Sequence, residues 1–550
     1  MSLPFAGTVL ALAVSTAEHP MLSRILAAAF LLALAPRAQI TTSQYDNART
    51  GANVHETILT PRNVNARSFG RLFRLPVDGD VYAQPLYMRG VPIAGKGRHG
   101  VVFIATEHDS VYAFDSAGQP LEPLWHASFA QGRVEPVRQS DVGCPFITPE
   151  IGITSTPVID AAAGTLYVLA RTREPGPDGQ PHFFQRLHAL DISSGAERPG
   201  SPVLIRASAS SASAGFLGLF SGTVTFNASR ENPRAALSLV HGMVWLTWAS
   251  SCDFGPYYGW VIAYDARTLK QAGVFNASPD GTESGIWASD TGPAADGAGN
   301  VYLATGNGRF DAASGGRDYG DSVLKLRLEG NNLSLRDYFT PFNQSHLNDT
   351  DKDLGSGGVL VVPDQSGAHP HLLVAAGKEG VVYLLDRDRM GHFHSGSNAN
   401  ALQTVTLPGE VFSAPAFWNG RLYYLASHDV LKAFSIWGGR LSPGPISQAA
   451  GAFHEPGATP SISANGNADA IVWAVESRGW AVPTSAILHA WDALDLTREL
   501  YNSEQVPARD FGGPALRFTI PAIVDGRVYI GTKGEVDVYG LLAPQARKTR

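Results

Sequence analysis

The sequence predicts an all-β protein, a single β-propeller of eight four-stranded blades whose ring is closed by an N-terminal strand. Three observations carry this. One pattern recurs about eight times between residues 84 and 542: a proline-containing strand, a short gap, a β-rich strand, a turn, and an aromatic strand often ending in Asp. Within each copy apolar and polar residues alternate over short runs, the period of a half-buried strand, with DG, NG, HG or EG turns between the runs. Composition agrees: 58 Gly and 36 Pro in 550 residues are an excess of turn formers, and the long amphipathic helices that an α/β core needs are absent.

The copies follow one another at 84–115, 155–191, 237–265, 292–326, 355–386, 413–434, 469–492 and 520–542. A four-stranded unit of this size cannot bury both of its faces alone. Radial repetition stacks the faces and leaves only short edges. The segment 44–79 precedes the first copy, and the last copy ends near Leu542 with no outer strand after it. An N-terminal strand is therefore expected to complete the last blade and hide both edges. The spacers 207–215 and 316–322 are expected on loops, and loops at one end of such a ring line its funnel and carry its function.

The chain start reads differently. From Met21 the sequence runs MLSRILAAAFLLALAPRAQ, with Arg24 ahead of a short Ala/Leu run and small residues behind it, the form of a secretory signal peptide. The expected organisation is a leader over 1–38 with translation starting at Met21, a propeller over 39–543 and a tail over 544–550, in a periplasmic or secreted protein. A net charge of -7 gives no basic surface for nucleic acid, and the body has no apolar run long enough for a membrane span. Export permits a disulfide between the two cysteines, Cys144 and Cys252; the sequence leaves open whether they meet. There is no Cys-x-x-Cys-His, so no covalently attached haem is expected.

These repeats resemble those of the pyrroloquinoline quinone (PQQ) propellers over most of residues 40–542. That eight-bladed family includes quinoprotein alcohol dehydrogenases and also non-enzymatic outer-membrane assembly lipoproteins. The chain looks like a divergent branch, because the Trp that docks neighbouring blades is largely missing and only Trp125 could fill that place. The resemblance implies PQQ and calcium as cofactors, oxidation of an alcohol or sugar hydroxyl, and an external electron acceptor. In ESGIWASDTGPAADGAGNVYLATGN, Trp287 matches the Trp that stacks under the quinone and Asn307 an Asn that ligates calcium. In RDYGDSVLKL, Asp321 matches the general base, which also ligates the metal. Asp253 in SCDFGPYYGWVIAYD falls one residue out of step with a Glu that ligates calcium, and Lys378 in HPHLLVAAGKEGVVYLLD stands where a cation reaches the quinone carbonyls.

Each match has a structural competitor: Trp287 as a core aromatic, Asn307, Asp253 and Asp321 as turn residues, Lys378 as a solvated hairpin cation. Two contacts of the dehydrogenases are absent, since there is no adjacent Cys-Cys pair and Tyr82 replaces an early Glu that touches the quinone. The alternative implied by the family is a non-catalytic propeller that binds a protein or glycan of the cell envelope. Among other constellations, Asp349, Asp351 and Asp353 alternate as in a calcium loop, but Leu360 stands where an EF-hand needs Glu. His392 and His394 offer two imidazoles without an evident third ligand. His108, Asp109, Glu150 and Thr156 are placed where they could face the funnel.

Overall fold

The computed structural model describes residues 38–213, 222–478 and 484–543. The expected leader and C-terminal tail lie outside these residues, apart from Ala38 at the boundary. Eight small antiparallel sheets form a ring, and each repeat found in the sequence is one blade. Their innermost strands are Leu86–Ile93, Val158–Asp160, Ser238–Val240, Ala294–Ala295, Val359–Val362, Ala416–Trp418, Ser461–Asn465 and Ala522–Val524, which begin blades 1 to 8 in that order.

Closure is as expected. Phe69–Pro76 pairs antiparallel with Glu535–Leu541, from Phe69 opposite Leu541 to Pro76 opposite Glu535, and so forms the outer strand of blade 8. The core is not one mass but a series of apolar layers between neighbouring blades. Trp245, Val261 and Ala263 of blade 3 pack on Val301, Leu303 and Leu324 of blade 4, for example. Phe69, Val528 and Tyr539 of blade 8 pack on Trp473 and Leu488 of blade 7. Because the next layer joins Val536 and Val538 of blade 8 to Val101 and Phe103 of blade 1, the layers close on themselves. Trp125 does dock a neighbour: its indole N–H donates to the Ile192 carbonyl of blade 2 at 2.9 Å.

One feature was not legible in the repeats. Residues 40–53 form a belt that hydrogen-bonds every blade. Ile40 exchanges both backbone bonds with Tyr87, and the Thr41 carbonyl accepts from Ile159 N–H. The Asn47 amide donates to the Leu239 carbonyl, and its own carbonyl accepts from Ala295 N–H. Ala48, Thr50 and Gly51 carbonyls accept from the N–H groups of Val361, Phe417 and Ile462. The Asn53 amide finally donates to the Ile523 carbonyl. Arg49 anchors the belt. It is fully buried, and its guanidinium donates to Pro293 O, Thr42 Oγ1, Ser43 O, Leu237 O and Ser238 Oγ.

A second difference concerns the 207–215 spacer, expected as loop. Ser208–Ser211 instead pairs with Gly222–Thr225 as a two-stranded ribbon between blades 2 and 3. Alternating Ser and Ala can form a strand once a partner supplies the ladder, and small side chains hid that from a reading based on hydrophobic period. Among the described residues no helix is long and apolar enough to cross a membrane.

Candidate functional site

A cavity of about 370 Å³ opens at the funnel. Most of its walls come from segments that precede the inner strands of the blades, while Cys252, Asp253 and Lys378 come from connections between the second and third strands of blades 3 and 5. Tyr82, Phe412 and Phe518 all stand three residues before the proline of their repeat, at Pro85, Pro415 and Pro521, and all three line the cavity. The belt contacts at Tyr87, Phe417 and Ile523 stand two residues after those same prolines. The cavity is thus lined by residues ahead of these inner strands, whereas the belt bonds residues within them.

The cysteines meet. Cys144, in the segment between blades 1 and 2, is disulfide-bonded to Cys252 of blade 3, with 5.5 Å between Cα atoms. This pins Phe146 and Ile147 beside Cys252 and Asp253, and all four line the cavity.

Of the five residues matched to cofactor and metal contacts, Trp287, Lys378 and Asp253 reach the cavity. Trp287 meets Tyr257 edge to face, with ring centres 6.4 Å apart, and its indole N–H is buried without a hydrogen-bond partner. Lys378 Nζ lies 2.9 Å from Asp351 Oδ1 and 2.5 Å from Asp353 Oδ2. Burial pulls the Lys378 ammonium down, but the two carboxylates, Asp353 foremost, outweigh that and hold it above its ordinary value. Lys378 is thus not a solvated hairpin cation: its side chain is only 16% exposed. Asp253 Oδ1 accepts from the Tyr257 hydroxyl at 2.7 Å.

Asn307 and Asp321 stand behind this wall. The Asn307 backbone N–H donates to Asp353 Oδ1 and its side-chain amide to Asp351 Oδ1, both at 2.8 Å, while its Oδ1 is buried without a partner. Asp321 is fully buried in the left-handed region at φ 47° and accepts from Leu354 N–H at 3.1 Å and, more weakly, from the Gln344 amide at 3.4 Å. Burial, then the charge of Asp353, pushes its carboxyl well above the carboxylate range. Asp321 is enclosed and has no exposed oxygen.

The alternating acids are resolved into different roles. Asp351 and Asp353 join Lys378, whereas Asp349 ends the helix Gln344–Asp349 and is exposed. Asp351 and Asp353 both line the cavity and both touch Asn307 and Lys378, Asp353 being the buried one of the two; the sequence showed only their alternation in an acidic loop. Lys352 pairs with Glu410, again on the wall. His392 stacks on Tyr338 and contacts Asp337, while His108 Nδ1 contacts Glu150 at 2.7 Å. Thr156 is buried, its Oγ1 accepting from Gln84 N–H. Among the described residues no group of three His, Cys, Asp or Glu side chains is arranged to hold a metal ion.

A buried acid ahead of the inner strand of blade 3 gives a pH prediction. Glu231 accepts from Tyr258 N–H and the Trp260 indole, and burial raises its carboxyl to about 8 against the weaker pull of Arg171. The folded protein keeps this proton while the unfolded chain releases it near the ordinary value. The stabilisation is complete below that value and is lost as pH rises toward 8, by up to about 1.4 kcal/mol per pH unit. Urea titrations at pH 5 and pH 8 should show wild type losing stability between them and Glu231→Gln losing less. Equal losses would contradict the assignment.

No protein-family model and no curated protein matches the sequence. Solved structures do match in fold. A quinohemoprotein alcohol dehydrogenase of Pseudomonas putida is 13% identical with a TM-score of 0.57, covering 92% of this chain and 82% of that one. A europium-containing methanol dehydrogenase is 13% identical with a TM-score of 0.54, covering 92% of this chain and 98% of its own. The BamB protein of Moraxella catarrhalis, 11% identical, covers 86% of this chain at a TM-score of 0.44. At these identities the likeness is one of fold: the chain is an eight-bladed propeller of the architecture that quinoprotein dehydrogenases also use.

Proposed function

We propose that the chain is an exported quinoprotein-type oxidoreductase that binds PQQ in the funnel and oxidises an alcohol or sugar hydroxyl. The observation that supports this is the convergence of Trp287 and Lys378, from different repeats, on one cavity. The quinone suits the residues present. The walls offer the aromatic faces of Trp287, Phe412 and Phe518, and the buried indole N–H of Trp287 has no partner. A flat, oxygen-rich ring system uses both a π-face and such donors.

Calcium does not fit the three positions expected for it. Asp321 is turned to Leu354 and Gln344, Asp253 Oδ1 accepts from Tyr257, and Asn307 Oδ1 is buried without a hydrogen-bond partner. Calcium takes six to eight oxygens, so no step here depends on it.

When bound, the quinone accepts the two electrons and hydrogen released by the alcohol. The protein's part is to hold and polarise. Trp287 provides a stacking face, and Lys378, fixed between Asp351 and Asp353, presents a cation of set position. Asp353 faces the cavity and takes the hydroxyl proton in this reading; Asp321, fully enclosed, supports the loop that carries Asp353 through its bond to Leu354 N–H. An external acceptor would be needed to take up the electrons.

The test is dye-linked oxidation of alcohols and sugars by purified protein reconstituted with PQQ, with and without calcium. Asp353→Asn should lower the rate by about 100-fold or more, and Asp321→Asn far less. Loss confined to Asp321→Asn would reverse the assignment of the base. No turnover by wild type would leave the family's other implied role, binding of an envelope protein or glycan.

A further inference from the structure

Closure of the ring sets blade 8 beside blade 1, and a cleft of about 340 Å³ opens between them. It shares no lining residue with the funnel cavity. Blade 1 contributes Arg89 from its inner strand, Arg98 and His99 from its second strand, and Asp115 from the end of its third. Blade 8 contributes Asp525, just after its inner strand, with Arg527 and Tyr529 from its second strand. None of these residues takes part in the proposed oxidation.

The charges of this cleft do not balance. His99 Nδ1 lies 2.6 Å from Asp115 Oδ2, and its Nε2 lies 2.7 Å from the Lys96 carbonyl oxygen. Both neighbours are acceptors, so the ring makes both bonds only as the imidazolium, and the bond to Asp115 foremost raises its pKa. Asp525 Oδ2 accepts from the Tyr87 hydroxyl at 2.7 Å and has Arg89 at 3.9 Å. Arg98 and Arg527 are left over: among the described residues neither has a carboxylate at ion-pair distance. Arg98 donates to the Gly90 carbonyl at 2.7 Å, and Arg527 Cζ stands 5.6 Å from the ring centre of Phe73. Arg89, Arg98, His99 and Arg527 thus face Asp115 and Asp525, an excess of two positive charges in a chain of net charge -7.

A buried donor points the same way. Tyr529 is 1% exposed, and its hydroxyl is enclosed without a hydrogen-bond partner. Burial foremost raises that hydroxyl; Arg527 lowers it, and Tyr87, Asp525 and Asp115 raise it, so it stands among the polar groups of the cleft and keeps its proton. A buried hydroxyl left unpaired is costly, and an acceptor brought by a ligand removes that cost.

We infer that the cleft between blades 8 and 1 binds a phosphate monoester group, whose two negative charges are met by Arg98 and Arg527 and one of whose oxygens accepts from Tyr529. A dianion matches the excess of two charges. Its several oxygens also serve guanidinium and phenol donors together, which a carboxylate, with one charge and two oxygens, does less well. The site is independent of the oxidoreductase reading and is tested without it.

The experiment is calorimetric titration of the intact protein with inorganic phosphate, glycerol 3-phosphate and glycerol. Both phosphates should bind saturably and one to one, and glycerol should not. Arg527→Gln should weaken both by about tenfold or more, and Tyr529→Phe, which keeps the ring and removes only the donor, by about threefold or more. Lys378→Gln, in the funnel, should leave them unchanged. No saturable binding, equal binding of glycerol, or affinities that survive both Arg527→Gln and Tyr529→Phe would overturn the inference. Loss in Lys378→Gln with retention in Arg527→Gln would place the anion in the funnel and overturn it as well. Should Arg527→Gln shift the urea midpoint, Tyr529→Phe decides. Cosedimentation with phosphatidylcholine vesicles, with and without phosphatidic acid, separates the sources. Capture by the acidic vesicles that Arg527→Gln abolishes assigns the group to a lipid headgroup; binding of glycerol 3-phosphate without capture assigns it to a soluble ester.

Discussion

Replacing Arg49 with Met should lower the free energy of unfolding by about 3 to 5 kcal/mol, measured by urea denaturation. Arg49 is enclosed, and its guanidinium satisfies five acceptors in three separate places: the belt itself, the start of blade 3 and the start of blade 4. Removing it leaves Pro293, Ser43 and Leu237 carbonyls without that donor in a site too tight for a simple refill. The tightness is measurable at Gly292, where an added Cβ would stand 2.4 Å from the Ala236 carbonyl and 2.7 Å from Arg49 Nη2. Since the belt bonds all eight blades in turn, its loss should loosen the ring as a whole rather than one blade. A change below about 1 kcal/mol would show that the belt is carried by its backbone bonds alone.

Cutting the Cys144–Cys252 bridge, by Cys144→Ser with Cys252→Ser, should cost about 4 to 5 kcal/mol under oxidising conditions. The bonded cysteines are 108 residues apart in sequence, so the bridge removes a large loop entropy from the unfolded chain. A second consequence is local. Phe146 and Ile147 line the cavity on a segment that the bridge ties to blade 3, so the double variant should also weaken any funnel ligand. Wild type treated with reductant should match the double variant in stability. If it does not, the bridge is not formed in the isolated protein.

How much of this could be read from the residues varies with scale. The eight repeats corresponded one to one with blades because each carries its own period-two pattern and turns, and the outer strand Phe69–Pro76 followed from an unpaired edge in the last repeat. The belt left no such mark. Asn47, Arg49 and Asn53 are polar residues in an irregular segment, and their bonds go to blades up to hundreds of residues away. The site was half legible. Trp287 and Lys378 were found by resemblance and reach the cavity; Asp353 was seen but given to a local loop, because its partners Asn307 and Lys378 are remote in sequence. Arg234, Arg517 and Phe518 line the cavity and were missed, although the shared position of Tyr82, Phe412 and Phe518 before the repeat proline would have pointed to the funnel had the copies been aligned on that proline.

The most direct test of the funnel as a quinone site is an equilibrium titration of the purified protein with PQQ, followed by quenching of tryptophan fluorescence. The structure leads us to expect saturable one-to-one binding that Trp287→Ala weakens by about tenfold, the worth of one aromatic stack. Absence of saturation, or equal binding by Trp287→Ala, would contradict it.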